Sequence, residues 1–172
     1  MAERGEKWGK REQAMNKIQK KLIAAVILGV LCASVVLAAQ SKQWTKGHEA
    51  FQRGDYAQAI AIYNELSLHG KAVDRFYFYY WLGCAYETNG QYAEALTALG
   101  ESLKYREAAR DTTVNNILPH VHEEFGICHR ETGAYAESIA SYRKAIELDP
   151  TDAQLYTGLA LTLVRANQTD EA

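Results

Sequence analysis

The decapeptide GDYAQAIAIY, Gly54 to Tyr63, returns as GQYAEALTAL from Gly90 and again as GAYAESIASY from Gly133. A fourth copy, NQTDEA, begins at Asn167 and breaks off at Ala172. The three full copies share the pattern Gly-x-Tyr-Ala-x-Ala/Ser-Ile/Leu. Apolar residues then recur at helical spacing, as in Tyr56, Ala59, Ile60 and Tyr63, or Tyr135, Ile139, Tyr142 and Ile146. A glycine can take the left-handed turn that closes one helix, so each phrase reads as a turn followed by a new helix. Asp55 and Gln58 have the spacing of a capping box for the first of these helices. A second amphipathic pattern runs upstream of each turn. Tyr79, Leu82, Gly83 and Tyr86 precede Gly90; His122, Phe125, Gly126 and His129 precede Gly133; Tyr156, Leu159, Ala160 and Leu163 precede Asn167. The unit is therefore a helix hairpin, which buries its apolar faces only by stacking on its neighbours.

These hairpins resemble tetratricopeptide repeats, on the strength of Tyr79-x-x-Leu82-Gly83-x-x-Tyr86 with Ala95, and of Ala145-Ile146-Glu147-Leu148-Asp149-Pro150 at a repeat's end. Gly133 to Asn167 is 34 residues, the family period; Gly54 to Gly90 is 36 and Gly90 to Gly133 is 43. Lys46 stands where the first repeat should have leucine, and His122 and His129 replace aromatics in the third. The long spacing before the third repeat implies an inserted loop around Arg106 to Asn116, with Pro119 in the first turn of the helix after it.

The resemblance also implies a use for the aromatic run Phe76 to Trp81, six rings in succession. Six consecutive helical positions cover the whole circumference. Phe76, Tyr79, Leu82, Gly83 and Tyr86 read as the inward stripe, and Phe78, Trp81 and Ala85 as a stripe leaning on the neighbouring repeat. Tyr77, Tyr80 and Cys84 are left for the concave groove in which such repeats bind peptides. The matching positions are Trp44, His48 and Phe51 in the first repeat, and His120, Glu123, Ile127 and Arg130 in the third. The expected partner-binding groove is thus Trp44, His48, Phe51, Tyr77, Tyr80, Cys84, Glu123 and Arg130, aromatic at one end and charged at the other. Packing against lipid or the inserted loop is the competing use for these rings, and for Trp44 the membrane interface competes evenly. Relatives that bind chaperone tails clamp a terminal carboxylate with lysines and asparagines. Here His48, Cys84 and Tyr80 occupy those positions, which argues against that ligand.

Ahead of the repeats, residues 1–21 hold seven basic residues against three acids, whereas the whole chain is −2, so the remainder is acidic by six. An acidic domain has no electrostatic footprint for nucleic acid. Leu22 to Ala39, LIAAVILGVLCASVVLAA, is an uncharged apolar stretch that as a helix would extend roughly 27 Å, close to bilayer thickness. It reads as an uncleaved signal anchor; a removed signal peptide remains the alternative, on the small residues near Ala38 and Ala39. The short basic flank would stay in the cytoplasm and put the repeats on the other side, most plausibly of a bacterial cytoplasmic membrane.

No phosphate loop, His-Glu-x-x-His pair or nucleophile elbow occurs. In HVHEEFGICHR, His122 and His129 are about 10.5 Å apart along a helix, too far to share an ion. Neither catalysis, cofactor, metal nor small-molecule substrate is expected. Cys32, Cys84 and Cys128 read as free, mostly buried thiols. Ala153 to Ala166 is apolar around most of its circumference, a poor cap for a solenoid, so the chain reads as a fragment of a longer protein or as one whose end a partner covers.

The expected fold is all-α: a basic segment over 1–21, a transmembrane helix over 22–39, and over 41–172 a right-handed α-solenoid of three full repeats and a partial fourth. The expected function is a membrane-anchored scaffold or adaptor for a protein or peptide, of the kind found among envelope assembly and chaperone accessory factors. A cytosol-facing organelle receptor and the regulatory arm of an enzyme continuing after residue 172 stay open.

Overall fold

Three left-handed glycines punctuate the chain where the repeated phrase begins: Gly54, Gly90 and Gly133 have φ of 78°, 77° and 79°. An L side chain is strained there, which explains why the phrase opens on glycine. The computed structural model describes residues 40–109 and 112–170. Among these residues all regular structure is helical: α1 (residues 40–52), α2 (Tyr56–His69), α3 (Ala72–Thr88), α4 (Tyr92–Lys104), α5 (Arg106–Ala109), α6 (Thr112–Glu131), α7 (Tyr135–Leu148) and α8 (Ala153–Asp170). The hairpins are α1/α2, α3/α4 and α6/α7, with α8 packed on α7. They belong to one compact unit, Gln43–Ala172. The expected basic segment and span, residues 1–39, lie outside the described residues; among the described residues no helix is long and apolar enough to cross a membrane.

The start of α2 is capped by Asp55, whose carboxylate accepts the Gln58 N–H at 3.2 Å. Only this half of the expected box forms, because the Gln58 side chain instead accepts from Arg53 at 3.2 Å. At the other end of α2, Arg75 clamps the turn into α3, donating to the Gly70 and Leu68 carbonyls at 3.1 and 3.0 Å and to the Tyr105 hydroxyl at 3.0 Å. Such charge-assisted bonds to main-chain acceptors fix the angle between two hairpins.

The aromatic run divides between two cores. Phe78 enters the first with Tyr63, Leu66 and Leu82, whereas Phe76, two residues and about 200° away on the helix, enters the second with Leu99, Val114 and Leu118. The expected inward stripe of Phe76, Tyr79 and Leu82 is therefore split, since α3 is buried on two sides. Tyr79 stacks on Tyr105 with centroids 5.7 Å apart.

Two expectations about the insertion and the last helix are corrected. The segment expected as a loop around Arg106 to Asn116 forms α5 and the opening turns of α6, and Pro119 lies inside α6 rather than in its first turn. Val114, Leu118 and Val121 at i, i+4 and i+7 are fully buried in the second core, and this burial extends the helix upstream of the proline. The proline has no N–H for the Asn115 carbonyl, but Asn115 is exposed and water can take its place. At the far end α8 runs through Asn167 to Asp170, so the fourth copy of the phrase does not turn the chain there. Asparagine bears a Cβ and enters the left-handed turn less readily than glycine.

The α6–α7–α8 junction closes around Tyr142. A Cβ added to Gly126 would lie 2.7 Å from its ring, and one added to Gly158 only 2.3 Å, so the two bare helix surfaces clasp the ring from either side. Beside it, buried Ser138 donates to the Gly126 carbonyl at 2.7 Å and meets Thr162 at 3.1 Å, so no hydroxyl at this joint is left unbonded.

Candidate functional site

The first helices of the hairpins stand side by side: α3 touches α6, α6 touches α8, and α1 meets α3 through ring contacts. They line one face of the stack, and seven of the eight expected groove residues are at least partly exposed on it.

On the α1/α3 side the face is aromatic. Trp44, His48 and Phe51 converge on Trp81, with ring centroids 6.2, 5.0 and 5.7 Å from it, each near edge-on. Tilted and T-shaped pairs of this kind add to the burial of the rings. Trp44 also meets Tyr63 and Phe78 at 5.6 Å each, so it wedges the first two repeats together. Trp81, assigned by sequence to the stripe that leans on the neighbouring repeat, does lean on it and is the hub of this wall.

On the α3/α6 side the expected residues separate. The Tyr77 hydroxyl hydrogen-bonds Thr113 at 2.6 Å, so this ring packs against the inserted turns of α6 instead of standing free. Tyr80 is half-buried beside Trp81, 5.6 Å away, and burial drives its hydroxyl pKa far up. Cys84 is corrected from groove wall to groove floor. It is buried, and desolvation followed by the nearby Glu124 raises its pKa, which makes the thiol inert. Cys128 is likewise buried and free, with its pKa pushed up to about 12 by burial and by Glu124 and Glu87.

Glu123 is half-buried and pairs with His120 at 3.4 Å. Arg130 is already engaged, donating to the Tyr142 hydroxyl at 3.0 Å and to Glu131 at 3.0 Å; Arg165 of α8 reaches the same Glu131 at 2.9 Å. The carboxylate sequence reading passed over is Glu124. Burial, then repulsion from Glu87 and Glu123, lifts its pKa to about 8 against a hydrogen bond to its carboxyl from the Cys84 thiol, and its Oε2 is buried without a hydrogen-bond partner.

His122 and His129 flank Phe125 at 6.2 Å each, and burial lowers the pKa of both, as befits neutral packing histidines. Among the described residues no group of three or more His, Cys, Asp and Glu side chains is placed to hold a metal ion. A separate shallow cavity of about 230 Å³ lies between α2, α3 and α4, lined by Tyr79, Tyr86, Glu94 and Thr97, away from the stripe that carries Tyr80.

Stacked hairpins with glycine turns, a ring clasped by bare helix surfaces and a shared face of first helices are the marks of one architecture. Tetratricopeptide-repeat family profiles match residues 45–112 and 129–166. The chain belongs to the tetratricopeptide-repeat family. It is 31% identical over 127 residues to the Photosystem I assembly protein Ycf3 of Rippkaea orientalis, covering 73% of this chain and 72% of that protein. Among solved structures, the TPR domain of Sgt2 from Aspergillus fumigatus superposes with a TM-score of 0.62 at 18% identity, over 77% of this chain and 82% of that one. The first TPR of Spaghetti (RPAP3), bound to the HSP90 peptide SRMEEVD, gives 0.61 at 16% identity, over 77% and 94%. At such identities these two likenesses establish the solenoid fold alone.

Proposed function

We propose that this chain is a non-catalytic binding module that holds a segment of a client polypeptide along the face formed by α1, α3, α6 and α8, as an assembly factor or scaffold. The observation that carries the reading is the ring wall around Trp81. Four half-buried aromatic groups, Trp44, Phe51, Tyr80 and Trp81, line the exposed side of the first helices, and aromatic surfaces of this kind anchor partners. The relationship to a photosystem assembly protein supports a role in bringing a subunit into a complex. Residues 22–39 supply the membrane tether in this reading, with the repeats outside the cytoplasm.

A chaperone-tail receptor is the second reading, favoured by the neighbours bound to HSP90 and HSP70 peptides. Those peptides, SRMEEVD and SGPTIEEVD, end in acidic residues, whereas the α3/α6 side of this face presents Glu87 and Glu123. Like charges make such a tail a poor occupant. The test is co-purification of the full chain with its client from native membranes, beside a Phe51→Ala/Tyr80→Ala double variant and a Thr97→Ala control in the α2–α4 cavity. The double variant should lose the client and the control should keep it. Equal capture by all three rejects the groove. Protease treatment of sealed cells tests the tether, since repeats outside the cytoplasm must be cut without lysis.

A further inference from the structure

The α3/α6 joint carries a buried carboxyl oxygen that nothing in the chain satisfies. Glu124 is only half-buried as a residue, so its stem reaches the groove, yet Oε2 is sealed and unbonded. A buried acceptor without a donor is costly, and native chains retain one where a donor arrives from outside. The charges around it decide what that donor is. Tyr80, Cys84 and Glu87 face it from α3, with the Cys84 thiol hydrogen-bonded to the carboxyl though not through Oε2, and Glu123 and Cys128 from α6 itself. The two nearby cations, Arg130 and Arg165, both bind Glu131. Arg130 also acts on Glu87 from nearby, but among the described residues no guanidinium forms an ion pair with Glu87, Glu123 or Glu124, and Glu123 meets His120 at 3.4 Å.

We propose that this joint receives a lysine side chain of the bound polypeptide, its ammonium donating to Glu124 and balanced by Glu87 and Glu123. The inference rests on the groove reading and specifies its occupant. A metal ion is a poorer candidate, since no three ligating side chains converge among the described residues. The methylene stem of a lysine has the Tyr80 ring to lie along. Docking also changes the carboxyl's protonation: alone it holds a proton up to about pH 8, because burial and neighbouring acids oppose its charge, and an ammonium removes that opposition. Binding at neutral pH therefore releases a proton.

The test uses the full chain in mild detergent and two degenerate dodecapeptide libraries that differ only at a fixed central residue, lysine in one and norleucine in the other. The native chain should retain the lysine library roughly tenfold better, and Glu124→Gln should bring the ratio close to one. Gln matches the neutral acid in shape, and an unchanged helical spectrum verifies the fold. Should that variant unfold, Glu87→Gln gives a smaller loss of preference. Calorimetry in buffers of different ionisation enthalpy should show proton release with lysine peptides on the native chain and none on Glu124→Gln. Retention of both libraries without preference, or a preference that survives Glu124→Gln, overturns this inference alone. Retention of neither overturns the groove reading with it.

Discussion

The two joints that hold the second repeat in place are built from opposite materials. Between α1 and α3 the contact is ring against ring, Trp44, His48 and Phe51 around Trp81, over a core of Tyr63 and Phe78. Between α3 and α6 the groove side holds the Cys84 thiol, a buried carboxyl and further acids, over a core of Phe76, Leu99, Val121 and Cys128. The first joint gains from every ring it buries and holds no carboxylate among its rings. The second carries an electrostatic penalty that grows with ionisation.

That contrast breaks first at Trp81. Trp81→Ala removes the ring touched by three α1 residues, and urea unfolding at pH 8 should show a loss of about 3 kcal/mol. Next comes Glu124. Its folded pKa of about 8 exceeds the ordinary 4.5, so the folded chain holds the proton more tightly than the unfolded one. The stability this gives is complete below pH 4.5, declines as pH rises between the two values, and is absent above them. Glu124→Gln should therefore match the native chain near pH 5 and exceed it near pH 9 by on the order of 2 kcal/mol, read as a difference in melting temperature. A constant difference across that range would dissolve the contrast. Gly90→Ala, which places a side chain at φ 77° in the turn after α3, should cost about 1 kcal/mol by the same unfolding assay without moving either joint's pH profile. The smallest effect is expected at Tyr77→Phe, which removes only the 2.6 Å bond to Thr113 and should cost about 0.5–1 kcal/mol, seen as faster amide exchange at the start of α6.

The hairpins were legible because a turn glycine, a tyrosine and an alanine recur in fixed order, and each reports a local requirement: left-handed backbone, core filling, close approach. The inserted turns were misread because Pro119 is a strong local signal for a helix start, whereas Val114, Leu118 and Val121 gain their meaning from a core supplied by α3 and α4. On the face of first helices, the α1 stripe follows from the family's repeat register, and Trp81, read as leaning on the neighbouring repeat, is the ring that this stripe packs on. Glu124 was not legible. It sits one residue from Glu123 on the same helix, and only the approach of α3 seals its Oε2 while Glu123 pairs with His120.

The central claim, that the face of first helices holds the client, is tested most directly by site-specific photo-crosslinking in intact membranes. A benzophenone side chain placed at Phe51 or Tyr80 should form an adduct of one defined size, and the same group at Thr97, in the cavity between α2 and α4, should form none. Adducts from Thr97 alone, or equally from all three positions, would contradict the account.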